Sequence, residues 1–110
     1  MSRLMLNIGL NMLVITTCEN LNQAREIAKY LLNHRYAACV NIIPSIVSMY
    51  YWNDELNEDS EVMLFIKSAK SFDELKRIIK KIHPYELPEI IKIDIEGSEE
   101  YMKYLKRYSK

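Results

Sequence analysis

The chain has 110 residues, which is enough for one domain whose core folds without disulfides or a bound metal. Fifteen basic residues balance fifteen acidic residues, so no net field draws in a polyanion or an anionic membrane surface. We therefore expect neither nucleic acid nor membrane among the partners.

Residues 1–11 form a mildly apolar stretch that carries Arg3 and is too short to span a membrane. We interpret it as an N-terminal extension in front of a single domain, residues 12–110. Cys18 and Cys39 form no CxxC motif, and no secretory leader is recognisable, which favours reduced thiols in a cytoplasmic protein. The apolar neighbours of Cys39 predict a buried packing residue.

The first strand and helix are predicted from residue 13 onward. Leu13 to Thr16 is an apolar, β-branched run, and Asn20 followed by Gln23 is typical of a helix N-cap. Apolar residues then recur at helical spacing to about residue 34. His34 lies where a histidine favours the helix dipole, so we interpret it as a cap and not as a ligand.

A long hairpin is predicted next. Residues 36–52 are rich in β-branched and aromatic side chains and are interrupted by Pro44, which predicts one long strand with a bulge or bend. Residues 53–59 read as a polar turn and residues 62–69 as the returning strand. A hairpin of this length projects beyond so small a domain and needs a covering surface.

The second half repeats the pattern of strand and helix. Ser71 with Glu74 predicts a capping box, and the apolar stripe that follows predicts a helix running into residue 83. Residues 90–95 predict the fourth strand, with the isoleucines inward and Lys92 and Asp94 outward. Ser98 is expected to cap a third, tyrosine-rich helix that packs on the sheet or on a neighbouring subunit.

This order, β-α-β-β-α-β with a terminal helix, predicts an α+β fold of the ferredoxin-like kind. Two helices should cover one face of the sheet. The opposite face and the long hairpin then require cover of their own, which indicates self-association.

The segment His83-Pro84-Tyr85-Glu86-Leu87-Pro88-Glu89 concentrates an imidazole, a phenol and two carboxylates between two prolines. Each proline fixes its own φ and disfavours helix at the residue before it, so the polar groups lie on a stiff loop. The pattern is compatible with a binding site and equally with a rigid junction between helix and strand.

Four motifs together resemble the CutA divalent-cation tolerance family along the chain from Leu13 to Tyr104. They are residues 36–44 (YAACVNIIP), 48–52 (SMYYW), 61–67 (EVMLFIK) and 83–90 (HPYELPEI). The resemblance implies a ferredoxin-like subunit in a tight homotrimer that binds copper or a related divalent ion, with zinc as the alternative metal. The trimer would cover the hairpin.

The resemblance also implies metal ligands. The family's histidine and the glutamate after the second proline match His83 and Glu89, and its cysteine near the end of the first strand stands about two positions before Cys18. Glu86, on the same loop, is a further candidate. One imidazole is not a site, because a tightly bound zinc or copper takes three or four converging ligands.

Four other residues are candidates for an intersubunit cleft or interface. Tyr51 and Trp52 would anchor an interface or stack on a ligand. Lys67, in an apolar strand, should point outward or meet a carboxylate such as Glu61 or Glu86, and the alternative is an anion-binding lysine at an intersubunit cleft. Tyr85 completes the set, although the junction alone would also explain it.

The leading hypothesis is a cytoplasmic, trimeric, non-enzymatic protein for divalent metal tolerance. A second is a trimer similar to the PII signalling family, with a metabolite or nucleotide in the clefts between subunits. A scaffold that anchors another protein is a third. An acylphosphatase-like enzyme is disfavoured, because neither Gly9 nor Gly97 lies in a phosphate-binding loop.

Overall fold

The computed structural model describes residues 11–109, and the predicted N-terminal extension lies outside this range apart from Asn11. Strands and helices follow the predicted order. They are β1 Met12–Cys18, α1 Leu21–Asn33, β2 Cys39–Trp52, β3 Glu55–Ser68, α2 Phe72–Ile82, β4 Ile91–Asp94 and α3 Glu99–Tyr108.

The strands form one antiparallel sheet in the order β2-β3-β1-β4. This order confirms the predicted α+β, ferredoxin-like fold. Helices α1 and α2 cover one face of the sheet and enclose the core. Its side chains are apolar and almost fully buried: Met12, Val14, Cys18, Ala24, Ile27, Leu31, Ala37, Val62, Leu64, Ile66, Leu75, Ile78 and Ile79.

Side-chain caps start the helices where the sequence predicts them. The Asn20 side chain accepts from the backbone N–H of Gln23, and the Ser71 hydroxyl accepts from that of Glu74. These bonds satisfy donors that the first helical turn leaves unpaired. His34 follows the last residue of α1 and lies 2.9 Å from the carbonyl of Tyr30, so its predicted capping role is confirmed. Within residues 11–109 no helix has the length and hydropathy needed to cross a membrane.

The hairpin is longer and tighter than predicted. The turn consists of Asn53 and Asp54 alone, with φ of 51° and 63°, and β3 begins at Glu55. Positive φ at both central residues is the type I′ geometry that matches strand twist, and Asn and Asp tolerate it well. The prediction of a turn over residues 53–59 was therefore wrong. The bulge at Pro44 is confirmed by a register shift between Ile43 and Ile46.

The predicted orientation of β4 was also wrong. Lys92 pairs with Val14, which faces the helices, so Lys92 and Asp94 share the helix-covered face at the edge of the sheet. Ile91 and Ile93 instead lie on the open face and are about half exposed. Alternation sets which residues share a face but not which face is covered.

Helix α3 packs on the sheet beside the start of β2, which is one of the two positions predicted for it. Its Leu105 is fully buried, and its Tyr104 hydroxyl donates to the carbonyl of Ala38. The Lys67 ammonium lies 5.6 Å from the centre of the Tyr101 ring and not beside the predicted glutamates. Cys39, expected in the core, is only partly buried and lies opposite Lys67 on the open face.

Candidate functional site

The two prolines shape the junction between α2 and β4. His83 adopts extended geometry, with φ of −78° and ψ of 135°, as the residue before Pro84 must. Helix α2 therefore ends at Ile82, and the chain runs without helix or strand to Ile91. This segment lies beside the end of β1, at Thr17, and the middle of β3, at Glu61.

Both ring nitrogens of His83 are engaged. The backbone N–H of Tyr85 lies 3.1 Å from Nδ1, and an N–H can only donate, so Nδ1 is the accepting nitrogen. Nε2 then carries the proton and donates to the Thr17 carbonyl at 2.7 Å. His83 is 7% exposed. These bonds tie the junction to the end of β1.

Burial governs the chemistry of His83 and of the neighbouring thiol. It lowers the pKa of His83 below its ordinary value of 6.5, against the opposing effects of the Thr17 carbonyl and Glu61. Burial likewise raises the pKa of Cys18, whose Sγ lies 3.5 Å from the Asn20 carbonyl. At neutral pH both groups are uncharged.

Tyr85 connects the junction to the hairpin. Its hydroxyl donates to Oε2 of Glu61 at 2.7 Å, and its ring lies against that of His83, with centroids 4.8 Å apart. Burial, followed by the bond to Glu61, raises the pKa of Tyr85 far above its ordinary value. The phenol therefore stays protonated and remains a donor.

A cleft of about 560 Å³ opens between the hairpin and the junction. Its described lining includes the candidates Tyr51, Trp52, Tyr85, Glu86 and Glu89. The remaining described lining residues are Thr17, Ser48, Met49, Tyr50, Glu61 and Leu87. The structure thus brings five of the eight candidates together.

The other three candidates do not line this cleft. His83 and Cys18 are buried behind Tyr85 at the end of β1. Lys67 lies six residues from Glu61 along β3, about 20 Å at the usual rise of a strand. An anion-binding role for Lys67 in this cleft is therefore not supported by its position.

The donor set fits a divalent metal only in part. Within residues 11–109, no three side chains of His, Cys, Asp or Glu are arranged to hold a metal ion. The carboxylates of Glu61, Glu86 and Glu89 line one cleft, but the nitrogens of His83 are already bonded. A bound ion would need rearrangement at His83 or ligands from another chain.

Glu61 lines the cleft but is not among the site residues that the sequence predicts. The sequence indicates it only as an ion-pair partner of Lys67, because the predicted turn extends to residue 59. With a turn at Asn53 and Asp54, Glu61 pairs with Ile46 and shares a face of the hairpin with Tyr50 and Trp52. The Asn-Asp pair, which suits two positive φ angles, was the available signal.

Comparison with known proteins gives a consistent result along the chain. The family model described as CutA1 divalent ion tolerance protein matches residues 12–108. The "Divalent-cation tolerance protein CutA" of Thermus thermophilus is 43% identical over 95 residues, which are 84% of this chain and 92% of that protein. The human "Protein CutA" is 40% identical over 93 residues, 83% of this chain but only 52% of its own length.

Solved structures agree with the sequence matches. The divalent cation tolerance protein of Thermus thermophilus has a TM-score of 0.84 and 39% identity, with coverage of 91% of this chain and 99% of that one. CutA from Xylella fastidiosa has a TM-score of 0.86 and 31% identity, with coverage of 91% and 98%. The similarity in fold thus extends over nearly the whole of both chains.

Proposed function

The chain belongs to the CutA1 divalent ion tolerance family, and we propose that it acts in metal tolerance by binding a divalent ion, copper first and zinc as the alternative. The observation that carries this proposal is that Glu61, Glu86 and Glu89 all line one cleft. Copper stands highest in the affinity order of divalent first-row metals for such ligands. The role proposed is binding and not catalysis.

Glu89 and Glu86 are the accessible ligands in this proposal. Both are exposed on the junction segment, whereas His83 is bonded through both nitrogens. His83 would bind the metal through Nδ1 only if the Tyr85 N–H left that nitrogen, and this hydrogen bond is the longer of the two that His83 makes. Cys18 would require loss of its thiol proton and exposure from the core, so its contribution is the smallest.

Calorimetric titration with Cu(II) and Zn(II) tests this assignment. We expect stoichiometric binding by the native chain. Glu89→Gln should lower the affinity for the metal by about tenfold or more, which is the usual effect of removing a ligand or a residue that orients one. Glu96→Gln is the matched control, because Glu96 is exposed outside the cleft. Unchanged binding in Glu89→Gln and His83→Ala would remove these residues from the proposal.

The homotrimer is the second part of the proposal, and the outer face of the hairpin supports it. Alternation and register place Val47, Met49, Tyr51 and Leu56 on one face, opposite to that of Tyr50 and Trp52. We call these four residues the outer stripe. They are 61–76% exposed, and a contiguous apolar surface of this kind marks an interaction site.

The mass of the protein in solution tests the assembly. We expect sedimentation equilibrium of the full chain to give three times the chain mass, and Leu56→Glu to lower it. Leu32→Glu is the matched control, because Leu32 is exposed on α1 and is not part of the outer stripe. A native chain that stays monomeric at micromolar concentration would overturn the trimer without affecting the metal assignment.

We also propose a cytoplasmic location. Cys18 and Cys39 are both free thiols, as expected for a reducing compartment. Fractionation of cells followed by detection of the native protein is the measurement, and recovery outside the cytoplasm would contradict it.

A further inference from the structure

The cleft between the hairpin and the junction offers more than carboxylates. Tyr50, Trp52 and Tyr85 contribute aromatic side chains to its described lining. Aromatic faces attract cations, ammonium groups among them, through the ring quadrupole. A divalent metal ion makes no use of such a wall.

The charge of the cleft has one sign. Its described lining residues include three glutamates and no lysine, arginine or histidine. Tyr85 and Tyr50 keep their protons, because burial raises the pKa of Tyr85 and the hydrogen bond to Asp59 raises that of Tyr50. A nucleotide or another polyanion would therefore meet repulsion and no cationic partner.

The size of the cleft points to an organic ligand. Its volume of about 560 Å³ lies within the usual range of small-molecule sites, about 300–1,000 Å³. The walls belong to different elements, with Tyr50 and Trp52 on the hairpin and Glu86 and Glu89 on the junction segment. A ligand that spans both walls must be cationic where it meets the glutamates of the junction segment and apolar where it meets the aromatic rings of the hairpin.

We propose that this cleft binds an aliphatic polyamine. Its ammonium groups would pair with Glu86, Glu89 and Glu61, and its methylene segments would lie against Trp52 and Tyr50. A polyamine can make charge-assisted hydrogen bonds to carboxylates and cation–π contacts at intervals along its length. The proposal does not depend on metal binding, although Glu86 and Glu89 would serve both ligands.

Trp52 provides the measurement, because it is the only tryptophan in the chain and lines the cleft. The full-length native protein, freed of metal by chelating resin, is titrated with spermidine while tryptophan emission is recorded. We expect a saturable change. Neither magnesium chloride at matched ionic strength nor the uncharged 1,8-octanediol should reproduce it.

Variants locate the binding by calorimetry. We expect spermidine affinity to fall about tenfold in Trp52→Leu and in Glu86→Gln, a typical result for one cation–π or ionic contact. Glu96→Gln is the matched control and should bind as the native chain does. Circular dichroism identifies any variant that fails to fold, and Trp52→Phe, which keeps an aromatic face, should retain most of the affinity.

Three results would overturn the proposal. The first is no saturable response to spermidine. The second is equal affinity in the native chain, Trp52→Leu and Glu86→Gln. The third is Trp52 emission that changes with protein concentration and not with amine, which would show that a second copy of the chain fills the cleft. Because the protein is metal-free, none of these outcomes bears on copper or zinc binding.

Discussion

The two halves of the β2–β3 hairpin differ in what lies against them. In the half of β3 that ends at Ser68, every second residue from Val62 onward is buried against β1 and the two helices. In the other half, Glu55 to Ser60, no residue is buried, although the same ladder continues to the turn. Backbone pairing alone thus extends the strands, and the outer half has no cover from the rest of the described chain. The candidate cleft lies at the boundary.

Two leucines of β3 provide the sharpest test of this difference. Leu64 is fully buried, whereas Leu56 is 61% exposed. We expect Leu64→Ala to lower the free energy of unfolding by about 2–5 kcal/mol, since it removes buried methyl groups and leaves a cavity. Urea unfolding followed by circular dichroism measures the change.

Leu56→Ala is the matched control at the exposed end. If the outer stripe lies at a subunit interface, its effect should depend on protein concentration, whereas that of Leu64→Ala should not. In dilute protein the change should stay within about 0.5 kcal/mol, as for other exposed substitutions. Equal losses in the two variants at every concentration would contradict the contrast between the halves.

The sequence was sufficient for the helices and the order of the strands, but not for the faces of β4 or the position of Cys39. The helices carry side-chain caps and apolar stripes, and these local signals agree with the packing, as at Asn20 and Ser71. It was insufficient for the outer half of the hairpin, because polar residues in Glu55 to Ser60 hide a strand that is not packed on a core. Strand propensity mostly reflects burial, which this segment lacks.

The candidate site was predicted only in part, because some of its residues are marked by local sequence signals and others are not. The junction segment was visible because prolines restrict the backbone wherever they occur. The partners of His83 were not visible, since the Thr17 carbonyl lies 66 residues away in the chain. Glu61 was missed as a cleft residue because its place depends on the register of a turn that was placed too far along the chain.

The second test compares how much the buried His83 and the exposed His34 each contribute to the free energy of unfolding. His83→Ala leaves the buried Thr17 carbonyl and the Tyr85 N–H without their partner, so we expect a loss of about 1–3 kcal/mol. His34→Ala removes an exposed cap and should cost less than about 1 kcal/mol. Chemical unfolding at pH 7.5 compares them, and a larger loss in His34→Ala would reverse the assignment.

The same histidine should make stability depend on pH. In the folded protein burial lowers the pKa of His83 below 6.5, so the unfolded chain takes up its proton first as the pH falls. The contribution of neutral His83 is complete above pH 6.5 and is lost between 6.5 and the lower folded pKa. His83→Ala should have a smaller slope of unfolding free energy against pH in that window, and an unchanged slope would refute this account.

The smallest expected effect compares two tyrosine–carboxylate pairs, one on each side of the boundary. Tyr85 donates to Glu61 where the junction meets the hairpin, and Tyr50 donates to Asp59 on the projecting part. We expect Tyr85→Phe to cost about 1 kcal/mol, because Glu61 then loses a partly buried donor. Tyr50→Phe should cost less, because water replaces its exposed bond. Unfolding of the two variants side by side measures this difference. Equal losses would mean that the projecting part supports itself as well as the body does, so the outer stripe would need no covering subunit to explain the length of the hairpin.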